Sequence, residues 1–382
     1  MRIFNFLGIL VIIIFSVSCV DEYYPDVEKY ENILVVDGLV TNGSESVVIR
    51  LYNSSPVNNP EIIPHTNADL YITDENQLMI PLYESEAGVY VAEDSSFRAE
   101  IEESYQLHIT TENGKTYISD KCKMNSPSAI DSIYGIKESK GTSRNSTYYP
   151  GVQFYIENHS EVYDTSYYIW KLFQTYEYRS SFDIDATWEG ELIWNDLYAT
   201  ALRTCWISSK VNDLLVSSTE YLEPNTTIKF PLNFVSTSTK EMSIRYSLIV
   251  KQLSISEDAF RFYEAMDEQN RDQGNMWAKQ PIQILGNIHN IDDANDPILG
   301  YFIVAGITEK RIFINRPNLQ FYYEECPPDF EGMQYIEFEP QNLWPIYIDD
   351  IMYYGLARAH SRYCFDCRLS GGKTSPPEFW IN

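Results

Sequence analysis

Apolar and polar residues alternate in short runs along the first third of the chain: from Ile33 to Thr41, Ser46 to Tyr52, Ala68 to Thr73, Leu78 to Glu84, Val89 to Ala92, Tyr105 to Thr111 and Lys115 to Ser119. A period of two sends successive side chains to opposite faces of an extended strand, and the Gly, Pro, Asn and Ser clusters between runs supply turns. Short strands at this spacing predict an immunoglobulin-like β-sandwich over residues 32–125. The last two runs are the clearest unit. Tyr105, Leu107 and Ile109 alternate with polar residues, His108 falls on the opposite face, and Asn113-Gly114 is expected to provide the positive φ angles of a tight hairpin.

Met124-Asn-Ser-Pro-Ser-Ala reads as a linker into a larger β-rich domain over residues 128–382. Strand-like sequence restarts at Ile130 to Tyr134, Gly141 to Ser146 reads as a polar loop, and Val152, Phe154 and Ile156 alternate. An aromatic run follows at Tyr167, Tyr168, Ile169, Trp170, Leu172 and Phe173, and Met242, Ile244, Tyr246, Leu248 and Val250 alternate over a longer stretch. One main helix is predicted near 257–272. Ser254-Ile-Ser-Glu257 has the form of a capping box, Ala259, Phe262, Tyr263 and Met266 recur at helical spacing, and Gly274 is a natural stop. Strands resume at Ile298 to Ala305 and Arg311 to Asn315, ahead of a tail rich in cysteine, glycine and proline. The fold class expected is mainly β with one main α-helix.

The amino terminus breaks this pattern. After Met1 and Arg2, Phe6 to Phe15 is an apolar block interrupted only by Gly8. A membrane-spanning helix needs about 20 apolar residues, so the block has the proportions of a signal peptide instead. Ser16, Val17 and Ser18 lead into Cys19, a small-residue cut site that resembles a bacterial lipobox, with Ser16 standing where a leucine-like residue is usual. Residues 1–18 are therefore expected to be removed and Cys19 to be lipidated, with residues 19–31 as a tether; the alternative is a secreted protein whose Cys19 joins a disulfide. Asp21 and Glu22 directly after the cysteine resemble the signal that sends lipoproteins of Bacteroidota to the outer face of the outer membrane.

Charge narrows the partners. With 28 Lys and Arg against 55 Asp and Glu, the formal charge is −27, which repels nucleic acid and anionic lipid. Thirty Tyr, 18 Phe and 7 Trp fit strand cores and cross-strand pairs, with a carbohydrate-stacking face as the lesser alternative. Six cysteines less a lipidated Cys19 leave an odd five, enough for two disulfides and one thiol. Cys364 and Cys367 form a C-x-x-C with no second C-x-x-C and no paired histidines, so a structural cystine role is expected rather than zinc or redox chemistry. A staple from Cys326 into this glycine-rich tail is favoured, although four paired cysteines allow three connectivities.

No catalytic motif stands out. G-x-S-x-G, H-E-x-x-H, G-x-x-x-x-G-K and G-x-G-x-x-G are all absent, and the histidines at 65, 108, 159, 289 and 360 have no ligand-like spacing. Two acidic clusters, Asp183 and Asp185 with Glu189 and Glu191, and Asn290 to Asp296, lack the glycine and terminal glutamate of an EF-hand and read as solvated turns rather than a calcium site. No enzyme, cofactor or metal is expected.

Four stretches taken together, CVDEYYPDVEKYENILVVDGLVTN, PIQILGNIHN, ILGYFIVAGITEKRIFI and YCFDCRLSGGKTSPPEFW, resemble a Bacteroidota lipoprotein family known as domain of unknown function forty-two forty-nine. The resemblance runs over essentially the whole mature chain, and the C-x-x-C-R-x-x-G-G tail is its most specific part. It implies lipidation at Cys19, structural roles for Cys205, Cys326, Cys364 and Cys367, and Cys122 as the odd thiol. Because such genes commonly lie beside a TonB-dependent receptor, it also implies a partner. The expectation is a surface-exposed, lipid-anchored outer-membrane protein that serves such a receptor as accessory or ligand-binding partner for an unidentified nutrient or glycan. The alternative is an adhesive or structural lipoprotein without a transport role.

Overall fold

The alternating runs become strands. The computed structural model describes residues 33–44, 47–55, 61–142, 145–159, 165–194, 201–220, 227–272, 284–323, 326, 340–351, 355–357 and 361–380. The leader, Cys19, the tether and Gly274 lie outside them. In chain order the first part holds β1 (Leu34–Thr41), β2 (Val47–Asn53), β3 (Ile63–Pro64), β4 (Asp69–Thr73), β5 (Met79–Glu86), β6 (Val89–Ala92), β7 (Ser104–Thr110), β8 (Thr116–Ser119) and β9 (Cys122–Lys123). Then come β10 (Ser132–Thr142), β11 (Asn145–His159), β12 (Tyr167–Arg179), β13 (Ala186–Trp188), β14 (Leu192–Trp194), β15 (Thr204–Ser218), β16 (Thr227–Ser236) and β17 (Arg245–Ile255). Helix α1 (Glu257–Asp272) follows, and the rest is β18 (Ile288–Asn290), β19 (Ile298–Asn315), β20 (Ile346–Ile351) and β21 (Gly355–Ala357). The protein is mainly β with this one helix among the described residues apart from short 3-10 turns.

Strands β1-β2-β6-β5-β4-β7-β8-β18 hydrogen-bond in that order, and their inward side chains meet in a single core that includes Val36, Ile49, Leu51, Ile72, Leu107 and Ile109. A sheet whose successive strands all contribute to one core has to curl over itself, which is consistent with an immunoglobulin-like sandwich. The β7–β8 hairpin differs from the expected turn. Gly114 alone has positive φ (+83°); its N–H donates to Thr111 O at 2.8 Å while Thr111 N–H donates to Lys115 O at 2.9 Å. The result is a three-residue loop ending in a glycine bulge, with Asn113 contributing its side-chain oxygen to Thr111 Oγ1 (2.6 Å) rather than a left-handed backbone.

A second sandwich stands beside the first. The three-stranded sheet β10-β11-β16 packs Val152, Phe154, Ile156, Leu232 and Val235 onto Trp170, Leu172, Tyr246, Leu248 and Val250 of β12 and β17. The polar stretch from Gly141 is shorter as a loop than expected, because β10 and β11 pair out to Thr142 and Asn145. On the other face of β12 and β17, α1 lays Ala259, Phe260 and Phe262 against Ile169, Leu253, Ile255 and Ile303. The capping box at Ser254 is not formed. Strand β17 runs on to Ile255, so Ser254 stays in the ladder and its Oγ accepts the Ser128 N–H at 3.0 Å; Ser256 caps the helix instead, accepting from Ala259 N at 3.3 Å. Glu257 and Asp258 in the first turn and Arg271 in the last complement the helix dipole.

Strand β19 joins the two halves. Sequence reading breaks it at Gly306 to Lys310; the structure has one 18-residue strand. Its first part pairs in parallel with β1, from Leu34 opposite Ile298 to Thr41 opposite Ala305, and its second part pairs antiparallel with β17, from Ser254 opposite Gly306 to Arg245 opposite Asn315. The partners change at Gly306, where the linker crosses so closely that a Cβ would lie 2.4 Å from Asn125 O. The same linker is fixed from below: buried Gln252 donates to Ser128 O (3.0 Å) and accepts from Trp170 Nε1 (2.8 Å) and Asn158 Nδ2.

Replacing Gln252 with leucine orphans a buried indole N–H, an amide and a carbonyl at once. The variant is expected to lose about 2–4 kcal/mol of stability, read as a lower denaturant midpoint; an unchanged midpoint would show that the network contributes little.

Candidate functional site

The two sandwiches leave a cavity of about 780 Å³ between them, roofed by α1. Strand β12 explains its floor. Alternation sends Tyr168, Trp170 and Leu172 into the second sandwich core and turns Ile169 and Lys171 the other way, toward the helix. Lys171 sits directly opposite Lys251 of β17, a like-charge cross-strand pair that is unfavourable by itself. On its other side β15 bulges: Trp170 pairs with Leu215 and Leu172 with Val211, which leaves Asn212, Asp213 and Leu214 facing the cavity.

The two lysines differ in their surroundings. Lys251 Nζ pairs with Glu309 at 3.0 Å and lies over the Phe173 ring. Lys171 has no hydrogen-bond or ion-pair partner among the described residues. Burial holds its amine below the ordinary lysine value; Asp37 opposes that shift, and Lys210, Arg50 and Lys251 add to it. Asp37 itself is engaged by Arg50 at 3.6 Å.

The walls are apolar with a few polar groups. Ile33 and Val35 from one side, Leu299 and Ile303 from β19, and Phe262 and Met266 from α1 supply the apolar surface. Tyr52, Tyr263 and Tyr301 line the same space, and burial raises the pKa of all three phenols, so each remains a neutral donor. Gln269 also lines it, and its Oε1 is buried without a partner among the described residues. A partly open, largely apolar cleft with a small number of unmet polar atoms is the form of a small-molecule binding site. Sequence reading missed Lys171. Its signal was a lone cation inside the apolar run YYIWKLF, where the neighbouring aromatics Tyr168 and Trp170 are core residues and not a stacking platform.

The cysteines form a separate, structural cluster. Cys205 bonds to Cys367 and Cys326 to Cys364, so the two members of the C-x-x-C go to different partners and not to each other. The tail motif follows from this geometry. Between the cystines, buried Asp366 accepts from Arg368 N (3.0 Å) and pairs with its guanidinium (2.8 Å). Gly371 ends the last turn at φ +88°, and Gly372 lies so close to the first cystine that a Cβ would be 2.4 Å from Cys205 Cβ. Lys373 then bridges Trp206, and Trp380 packs edge-on against Phe313 and Trp206. Cys122 is a free thiol pushed up to about 12 by burial, with Asp120 adding, which makes it a poor nucleophile.

Neither acidic cluster gathers into a cation site, and no group of three or more His, Cys, Asp or Glu is placed to hold a metal among the described residues. Asp296 is taken by Lys115 (2.8 Å), Tyr117 (2.9 Å) and Asn290 (2.7 Å). Asp183 pairs with Arg203. Asp185 lies next to Asp349 across the β13–β20 ladder, and the Asp349 carboxyl is pushed up to about 6, by burial first and then by the hydrogen bond and charge of Asp185. The histidines stay apart: His65 meets Asn53, His108 stacks on Tyr71 and meets Thr73, and His289 meets Asp120. The side chains of His159 and His360 lie outside the described residues.

A family model described as Domain of unknown function (DUF4249) matches residues 20–311. No curated protein matches the chain.

Two outcomes follow from the cystines and the carboxyl pair. Replacing Cys205 and Cys367 with serine, which opens a loop of 162 residues, is expected to cost about 2–5 kcal/mol in chemical denaturation; no loss would mean that packing alone holds the tail. Folded Asp349 keeps its proton at pH values where an unfolded aspartate, near 3.8, has lost it. Its stabilising contribution is therefore complete at low pH and lost as pH rises through about 6. Asp349→Asn is expected to gain stability relative to the wild type as pH climbs from about 4 to about 7, and a pH-independent difference in melting temperature would rule out the shared proton.

Proposed function

The chain belongs to the DUF4249 family, and on that premise we propose that it is a lipid-anchored outer-membrane protein, displayed at the cell surface, that binds a small ligand as partner of a TonB-dependent receptor in nutrient uptake. The observation that supports ligand binding is the cavity under α1, about 780 Å³ in volume, with apolar walls and, in its floor, Lys171, which has no hydrogen-bond or ion-pair partner among the described residues. Nothing in its lining pairs a nucleophile with a histidine base, and its aromatic and aliphatic walls suit capture and orientation.

Anchoring gives capture its use. A lipid on Cys19 confines the protein to the membrane plane and raises its effective concentration beside an embedded receptor, while the charged tether from residues 19–31 leaves it free to approach. No helix among the described residues is long and apolar enough to cross a membrane. The acidic pair Asp21 and Glu22 supports display on the outer face, and the −27 charge argues against nucleic acid as partner. A second reading, adhesion or a structural role at the surface, draws support from exposed aromatics such as Tyr148 and Trp194, which are 71% and 56% accessible.

Mild-detergent extraction of the native tagged protein from outer membranes is expected to retain a TonB-dependent receptor in stoichiometric amount, and Cys19→Ser is expected to release the protein from the membrane fraction. Recovery of the protein alone, from membranes whose known receptor complexes survive the same detergent, would favour the adhesive role.

A further inference from the structure

We propose that the ligand of the α1 cavity is an amphiphile with a single anionic head, carboxylate or sulfonate in kind, whose charge is received by Lys171 and whose apolar body lies along Ile169, Phe262 and Met266. This deepens the ligand-binding reading and rests on it. Three observations converge on Lys171. It is desolvated in the middle of a strand, it faces a like charge on the neighbouring strand, and the bulge of β15 removes the cross-strand neighbour that would otherwise sit beside it. The desolvation and the like-charge pair are unfavourable by themselves, and local rules are broken in this way where a ligand completes the arrangement.

Charge accounting gives the sign of the ligand. The carboxylate nearest in effect, Asp37, is already shared with Arg50, and Lys251 is satisfied by Glu309. Asp213, the other acid in the lining, is exposed on the bulge, and Lys210 is exposed beside it in the ladder. Lys171, half-buried, is thus a cation with no hydrogen-bond or ion-pair partner among the described residues, in a protein whose overall charge is −27. An anion placed there gains a charge-assisted hydrogen bond, and the neutral phenol of Tyr263 is a further donor to it. Its hydroxyl cannot compete as a counter-ion, because it stays protonated. The remaining surface is aliphatic and aromatic, which a small hydrophilic anion would leave unfilled and an amphiphile covers.

The test uses matched fluorescent pairs on the full chain at neutral pH: cis-parinaric acid against its methyl ester, and anilinonaphthalene sulfonate against uncharged phenylnaphthylamine. At least one acid is expected to bind about tenfold or more tightly than its neutral counterpart. Lys171→Met, which keeps most of the apolar stem and removes the charge, is expected to abolish that preference while still binding the neutral probe, and Lys171→Arg to retain it. Equal affinity for acid and neutral forms in the wild type would overturn the anionic head and leave the cavity as a binding site. A preference unchanged in Lys171→Met would overturn the role of Lys171. If neither member of either pair binds, the cavity reading falls with it. A circular dichroism melt of each variant separates lost binding from lost fold.

Discussion

Both halves of the molecule depend on one strand carrying two sets of hydrogen bonds. Strand β19 gives its first eight residues to β1 and its last ten to β17. Its side chains divide as its backbone does. Phe302 and Val304 enter the first core, Tyr301, Ile303 and Ala305 face α1 on the opposite side, and Ile312 and Ile314 reach the second sandwich. A strand buried on both faces cannot show alternation, because every position is apolar, and ILGYFIVAGI is such a run. Removing it would open three cores at once, which makes the two sandwiches one cooperative unit across this seam.

The cavity is a consequence of that seam. Two sandwiches sharing a strand but turning different faces inward leave a notch where β1 and β12 diverge, and α1 is long enough to roof it but not to fill it. Binding sites recur at such junctions because neither core claims the surface there. The site is therefore built from residues far apart in sequence, Asp37, Lys171, Tyr263 and Tyr301, which only the β19 connection brings together.

How much of this was legible in the sequence depends on range. Strands whose partners are near in sequence, such as β7 with β8, were visible from alternation and turn residues, as was the helix from its apolar stripe. What failed were features decided by distant partners. The break read into β19 at Gly306 to Lys310 begins where its partner changes from β1 to β17, and Ser254 lost its capping role to a ladder that continues through Gly306. Lys171 was hidden for the same reason. A lysine in an apolar run is ordinary until one knows that it meets Lys251 on one side and a bulge on the other.

The cysteines show how differently the tail is held. The sandwiches bury contiguous cores and, among the described residues, have no disulfide linking their own strands, whereas the segment around β13, β20 and the terminal turns packs only small clusters such as Ala186, Trp188, Ile346 and Ile348. Burial of that size does not offset the entropy of ordering a long excursion. Two cystines that tie Cys364 and Cys367 to separate partners restrict the unfolded tail more than a single bond within the C-x-x-C would, since the loops they close span 38 and 162 residues. The glycines that follow are fixed by the same bonds, one turning the chain and the other allowing it to pass against Cys205, so that Trp380 reaches β19 and closes the carboxyl-terminal end onto the strand that organises the rest.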